Sequence, residues 1–410
     1  MPEPKTLQPK AAQSAAPRRL TRAARLACLA ALPLALTPMA AAPALAQGDP
    51  VAEAPVSALP DEAPARIEVA FVLDTTGSMS GLIEGAKKKI WSIANNMMDL
   101  KPTPEIRFAL IGYRDRGDDY VTRAFDLTDD VQKIYGELLA FNAAGGGDNP
   151  ESVNQALHEA IADLAWSQED AVFRTVFLVG DAPPHMDYQD DVKYQETLAT
   201  AKARDIVVNA VQAGGQRETT KIWREIAELG GGSFAQIAQS GGMVAIETPY
   251  DANIEELNIK LQQTVVPYGE ERAREALTDK LLSAGAARGG AAASMSEYFA
   301  KKSVGGARKV VSGGGDLVED YANGEVDLTA VDDAALPSAV AALSLEERKA
   351  LLAGRAAERA SLRAKLDDLL AQRSVYLAEE RARQALTPDA FDATVDALIE
   401  SQAARKGFYK

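Results

Sequence analysis

FVLDTTGSMS, residues 71–80, joins an apolar run to an amphipathic one. Ahead of the turn, Ile67 to Leu73 reads as a buried strand. Beyond it, Leu82, Ala86, Ile90, Ile93 and Met97 recur at helical spacing. Buried strand, tight turn and helix make the repeating unit of an open α/β sheet, a fold that binds ligands at the carboxyl ends of its strands. Asp74, Thr76 and Ser78 place three hard oxygen donors in that turn, a donor set suited to Mg2+, Ca2+ or Mn2+. Taken by itself the turn also has a structural explanation, with Asp74 as a turn residue and Ser78 or Ser80 as a helix cap.

Outward from this stretch, strand and helix patterns alternate. Buried-strand runs are expected at 106–112, 172–179 and 206–211, with shorter strands at 120–125 and 233–237. Helices fall between them, and a last helix of this region carries Ile254, Leu257 and Leu261. In the helix after Gly145-Gly146-Gly147, Pro150 suits the first helical position, with Asn149 as its cap. The class is α/β: a doubly wound, mostly parallel sheet flanked by helices, followed by a mainly helical C-terminal region.

The chain divides into a leader at 1–46, a Pro- and Ala-rich linker at 47–65, the α/β domain at 66–267 and the helical region at 268–410. Within the last, 303–340 reads as a Gly-rich and acidic loop. Gly313-Gly314-Gly315 lacks the Lys and Ser or Thr that a phosphate loop requires. Ser344 with Glu347 forms a capping box, and the helix behind it extends to about 384. Its leucine seam is interrupted by Arg355, Arg359 and Arg373. Thr387-Pro388 opens a final helix with Phe391, Val395 and Leu398. Residues 340–410 are expected to be dispensable for folding of the α/β domain.

The leader has a basic region (Arg18, Arg19, Arg22, Arg25), an apolar stretch from Leu26 to Leu36 and a small-residue site, Ala44-Leu45-Ala46. This is the pattern of a cleaved export signal, with Gln47 as the new terminus, and an uncleaved anchor is the structural alternative. Export from a bacterial cell places the protein in the periplasm or outside. The single cysteine, Cys28, lies in the leader, so the exported chain carries neither a disulfide nor a thiolate ligand. The formal net charge is -15, and removing the basic leader leaves the remainder near -20. Such a charge opposes unspecific binding to nucleic acid or to an anionic membrane face, and favours cations.

Oxygen-rich residues stand at three loops: Asp74, Thr76 and Ser78; Asp148 and Glu151; and Asp181. A doubly wound sheet brings such loops to one rim. Converging carboxylates repel one another unless a cation lies between them. DTTGS at 74–78 resembles the metal-ion-dependent adhesion motif Asp-x-Ser-x-Ser of von Willebrand factor type A domains, with Thr76 in the first serine position. GGGDNPE resembles the family's second metal loop in the Asp-x-Pro-Glu form of integrin β-subunit domains. VFLVGD is similar to its late strand, with Asp181 as the final acid.

The resemblance covers about 66–265. It implies one divalent cation, Mg2+ first with Ca2+ or Mn2+ as alternatives, held by Asp74, Thr76, Ser78, Glu151 and Asp181. Asp148 stands at the same ion or a neighbouring one. It also implies a protein partner offering an acidic side chain to an open coordination position. The function expected is therefore an exported, cation-dependent binding module for adhesion or complex assembly. Its rivals are a metal-dependent hydrolase and a structural protein whose metal site is closed by its own side chains. No HExxH and no GxSxG elbow with a triad occur, and the chain has two histidines, so little general-base chemistry is at hand. His185, near Asp181, is a second-rank candidate for metal or base. Arg114 and Arg116 either grip an acidic partner or pair with Asp115, Asp118 and Asp119. His158 reads as solvated or capped by a neighbour, and Trp91 and Trp223 as core or domain-contact aromatics.

Overall fold

The computed structural model describes residues 65–147, 149–242, 246–304, 314–384 and 391–410. The leader, the linker up to 64, Asp148 and Thr387-Pro388 lie outside them. The described residues fall in one compact unit.

Six strands build the sheet: β1 (Arg66–Asp74), β2 (Glu105–Tyr113), β3 (Thr122–Thr128), β4 (Phe173–Gly180), β5 (Ile206–Ala213) and β6 (Gly231–Ile237). Their order is β3-β2-β1-β4-β5-β6, all parallel except β3, which runs antiparallel to β2 at the edge. The expected α/β class with a mostly parallel sheet is what forms. β1 shows why. It is buried on both faces, so it reads as an apolar run interrupted at Glu68, whose buried carboxylate is paired with Arg107 at 2.7 Å, and its alternation divides the side chains between two cores. Ile67, Val69, Phe71 and Leu73 join one cluster, and Ala70 and Val72 the other.

The second face is covered by α3 (Val153–Ala162), α4 (Tyr194–Ala203) and α5 (Arg217–Leu229), with Trp223 fully buried among them. The first face takes α1 (Ser80–Met98) and α2 (Val131–Ala140), with Trp91 at the centre. After β6 the chain enters α6 (Asp251–Gln263), α7 (Glu271–Gly285) and α8 (Gly289–Val304). Next come α9 (Leu317–Ala322), the single turn α10 (Ser338–Ala341), α11 (Leu345–Gln384) and α12 (Phe391–Ala403). α9 lies in a stretch expected to be loop. It forms because Asp316 caps it, accepting from the Val318 N–H, while Leu317 and Val318 enter a small core with Val266, Leu328, Leu336 and Leu352. The Ser344–Glu347 box is reciprocal, Ser344 N–H and O–H donating to Glu347 and the Glu347 N–H donating back to Ser344 Oγ.

Two further expectations bear on remote packing. The first concerns the arginines of α11. Arg359 and Arg373 are buried and answered from distant sequence: Arg359 reaches Asp316 at 2.7 Å and Thr264 Oγ1 at 2.9 Å, and Arg373 reaches Asp251 at 2.9 Å. They anchor α11 to both ends of α6. The second concerns 340–410. α12 belongs to the main core: Phe391, Val395, Ile399 and Ala403 are buried in the cluster that holds β1 and α1. The Phe391 ring meets Phe71 edge-on at 6.2 Å. Gln402 exchanges two hydrogen bonds with Asn209 of β5, and Tyr409 pairs its backbone with Lys101. The end of the chain packs on one face of the sheet, so a deletion of 340–410 would uncover apolar side chains of that face.

Candidate metal centre

The carboxyl ends of β1 and β4 lie side by side, with Leu73 opposite Val179. Asp74 closes β1, and Asp181 follows β4 directly. Gly180 makes the approach possible, because a Cβ there would stand 2.4 Å from the Tyr113 hydroxyl and 2.9 Å from Asp74 Cβ. Asp74 Oδ1 accepts from the Thr76 N–H at 2.8 Å and from Thr76 Oγ1 at 2.7 Å. Ser78 Oγ stands 3.2 Å from Thr76 Oγ1. The turn after β1 therefore orders both hydroxyls around one carboxylate.

The glycine loop folds over this turn. Gly77 N–H donates to the Gly145 carbonyl, and Ala144 N–H to the Thr75 carbonyl. Gly146, at φ +80°, fits between Thr76 and Glu151: a Cβ on it would lie 3.0 Å from Thr76 Cβ and 3.2 Å from Glu151 Oε1. Glu151 does not start the helix. Its N–H donates to the Pro183 carbonyl and its own carbonyl accepts from His185 N–H, a parallel bridge to the loop after β4. This pairing draws Pro150 and Glu151 into extended chain and moves the helix start to Val153, with Ser152 in the cap position in place of Asn149.

Five of the six sequence candidates thus meet at one rim, and the sixth, Asp148, lies outside the described residues. Thr76, Ser78, Glu151 and Asp181 line a cavity of about 270 Å³, together with the glycine loop, Gln216 and Gln239. Asp74 is fully buried beneath it. Asp74 Oδ2 and Glu151 Oε2 are buried with no hydrogen-bond partner. Burial, with the charge of Asp181 added, pushes the Asp74 carboxyl up to about 7 despite its Thr76 hydrogen bonds. Burial first, then the charges of Asp74, Asp115, Asp118 and Asp181, pushes Glu151 up to about 9. Among the described residues no three His, Cys, Asp or Glu side chains are clustered closely enough to hold an ion alone, so hydroxyls and water belong to any ion's shell here. Carboxylates and hydroxyls without thiolate or imidazole suit a hard cation, and two orphaned buried carboxylate oxygens give it a place.

The flanking loops are tied by Asp115. It accepts from Ser152 Oγ at 2.9 Å and from the Tyr188 hydroxyl at 2.9 Å, and His185 Nε2 stands 3.3 Å from its Oδ2. His185 Nδ1 lies 2.8 Å from Asp187, so both ring nitrogens face carboxylates of the loops. Arg114 is buried and donates to the carbonyls of Thr75 and Asn142; Arg116 pairs with Asp190 and Asp191 over the Tyr188 ring. Two residues escape sequence reasoning. Asp115 reads only as a neighbour for arginines, and Gln239, which donates to Asp181 Oδ2 at 2.6 Å, sits in a loop with no pattern to mark it.

Residues 68–249, the span from β1 to the loop after β6, match the family model of the von Willebrand factor A domain. Similar solved structures include the conserved hypothetical protein BatB from Bacteroides thetaiotaomicron, 16% identical over 42% of this chain and 90% of that one, with a TM-score of 0.33. Proximal thread matrix protein 1 from the mussel byssus is also 16% identical, over 43% of this chain and 42% of its own, at a TM-score of 0.33. One structure of that mussel protein has a zinc-occupied MIDAS motif. The chain thus spans less than half of the mussel protein. No curated protein matches the chain.

Proposed function

We propose that the α/β domain is a divalent-cation-dependent interaction module of von Willebrand factor A type. Asp74, Thr76, Ser78, Glu151 and Asp181 would hold the ion, and Asp148 would stand at the same ion or a second one, as in the integrin β-subunit form of the loop. The observation that carries this reading is the pair of buried carboxylate oxygens, Asp74 Oδ2 and Glu151 Oε2, left without partners beside an open, hydroxyl-lined cavity. When bound, the ion supplies an exchangeable coordination position for an oxygen ligand, such as an acidic side chain of a protein partner. The chain's own residues do the rest. Thr76 fixes one oxygen of Asp74 and leaves the other free, and the bridge to Pro184 aims Glu151 at the rim. The cavity of about 270 Å³ has room beyond an ion and its waters, which favours an open docking site over one closed by the protein's own side chains.

His185 is turned to Asp115 and Asp187 and does not line the cavity, which weighs against its use as a hydrolytic base. Mg2+ is the first choice of ion, and Ca2+ or Mn2+ the alternatives. The same reading takes 1–46 as an export signal and puts the module in the bacterial envelope; none of the described helices is long and apolar enough to cross a membrane. Calorimetric titration of the metal-free protein with Mg2+, Ca2+ and Mn2+ tests the site, and silence with all three refutes it. A partner captured with the cation should be released by chelator; capture indifferent to chelator removes the docking role and leaves the ion structural.

A further inference from the structure

A fourth loop, following β6, also reaches the cavity. Gln239 Nε2 donates to Asp181 Oδ2 at 2.6 Å and stands 3.4 Å from the Ser78 carbonyl oxygen. One carboxamide therefore spans the turn after β1 and the end of β4. Its seat is built for it. Gly214, at φ +73°, lies against the amide oxygen, and a Cβ there would come within 2.2 Å of Gln239 Oε1. Beside it, Ser240 packs on Gly81 at the start of α1, where an added Cβ would stand 3.1 Å from Ser240 Cα.

We propose that Gln239 is a positioning residue for the cation site, acting through Asp181; the inference rests on the reading of the cavity as an ion site. Asp74 and Glu151 are enclosed by the fold, whereas Asp181 is only half-buried. Its backbone carbonyl is held by Thr219 Oγ1 at 3.0 Å, and the charges of Asp74 and Glu151 press its side chain to swing away from them. The Gln239 amide stops that swing. It holds one oxygen of Asp181 and leaves Oδ1 for the ion or one of its waters. Because the amide is neutral, it fixes the carboxylate without cancelling the charge that attracts the cation. A lysine or arginine in the same seat would compete with the ion.

The test is a double-mutant cycle on the full chain, read by Mn2+ calorimetry: wild type, Gln239→Leu, Asp181→Asn and the double variant. Leucine keeps the volume and removes the donor, and the residue is exposed, so the fold should persist; chelator-treated melts check this. Expected is a loss of roughly five- to tenfold in Mn2+ affinity for Gln239→Leu, the scale of one charge-assisted hydrogen bond facing solvent. In the Asp181→Asn background the same change should cost less than about twofold. The Gln239 side-chain NH2 resonance, identified by its absence in Gln239→Leu, should move along the Mg2+ titration with the same midpoint. Gly214→Ala displaces the amide without altering it and should weaken Mn2+ binding likewise. Equal losses in both backgrounds, or a resonance that ignores Mg2+, would overturn the inference. If Gln239→Leu binds Mn2+ as wild type does, Gln239 has no role and the ion site stands. If wild type binds no Mn2+, both readings fall.

Discussion

Replacing Asp74 by asparagine should raise the stability of the metal-free protein at pH 8 and abolish its response to cations. Asp74 is fully buried, and its carboxyl is pushed from an ordinary 3.8 to about 7. A carboxyl whose value rises on folding is easier to bury protonated. Between about pH 4 and pH 7 the native state then holds the proton that the unfolded chain has lost, and stability falls as pH rises through that window. Above it the penalty is complete, roughly 4 kcal/mol for a rise of this size.

Asparagine removes the titration and keeps an oxygen for both Thr76 donors. Its amide nitrogen takes the place of the orphaned Oδ2 and needs an acceptor, at a cost of about 1–3 kcal/mol if none is found. The expected net gain in chelator at pH 8 is therefore about 1–3 kcal/mol, or a rise in Tm of roughly 2–6 °C. At pH 5, where native Asp74 already carries its proton, the gain should shrink to about zero. Mg2+ at ~1,000 times its Kd should add about 4 kcal/mol to wild type and nothing to the variant, reversing their order. Melts of both proteins at the two pH values, with chelator and with Mg2+, check all of this. A variant less stable than wild type in chelator at pH 8 would refute the repulsion argument. Equal Mg2+ stabilisation of both would refute the ion site.

Mg2+ affinity should climb steadily from pH 6 to 9, because the ion must displace protons from Asp74 and from Glu151, raised to about 9; a flat calorimetric profile would contradict this. Phe391→Ala should cost about 3–5 kcal/mol in urea unfolding, as for other buried phenylalanines, and a chain ending at residue 390 should lose its cooperative transition. A soluble, cooperatively folding truncation would show that α12 only decorates the sheet. Arg373→Met should destabilise by about 3–5 kcal/mol because Asp251 stays buried without its cation. Adding Asp251→Asn should recover much of that loss, and a double variant no better than the single would mean the pair contributes only packing.

What could be read in the sequence follows the range of the forces involved. β1 is legible because a strand buried on both faces is apolar wherever no partner answers a charge, and only Glu68, paired with Arg107, breaks the run; the turn after it is legible because Asp, Thr and Ser at alternate positions form a local unit. That Asp74 and Asp181 share a rim follows from parallel strands. Glu151 was legible as a candidate but not in its backbone. Proline followed by an amphipathic run points to a helix from 150, and the pairing with Pro184, thirty-three residues on, outweighs that local preference. The arginines of α11 read as flaws in a leucine seam for the same reason. Asp316 and Asp251, which make their burial tolerable, are far away in the chain, and nothing local announces them.

The final helix shows how far such remote packing reaches. α6, the first helix after the sheet, packs on α8 and α11, and α12 fills the sheet face beside α1 from more than 150 residues beyond β6. Phe391 packs on Phe71, three residues before Asp74, and its N–H donates to the Gly241 carbonyl, two residues after Gln239. One residue at the start of α12 thus supports both the strand that delivers the first carboxylate and the loop that restrains the last. The described residues that line the cavity belong to the α/β domain, yet the strand and loop that carry them are in contact with the end of the chain. A boundary at 267 therefore marks where the connections of the sheet stop, while the apolar packing on its face continues to Phe408.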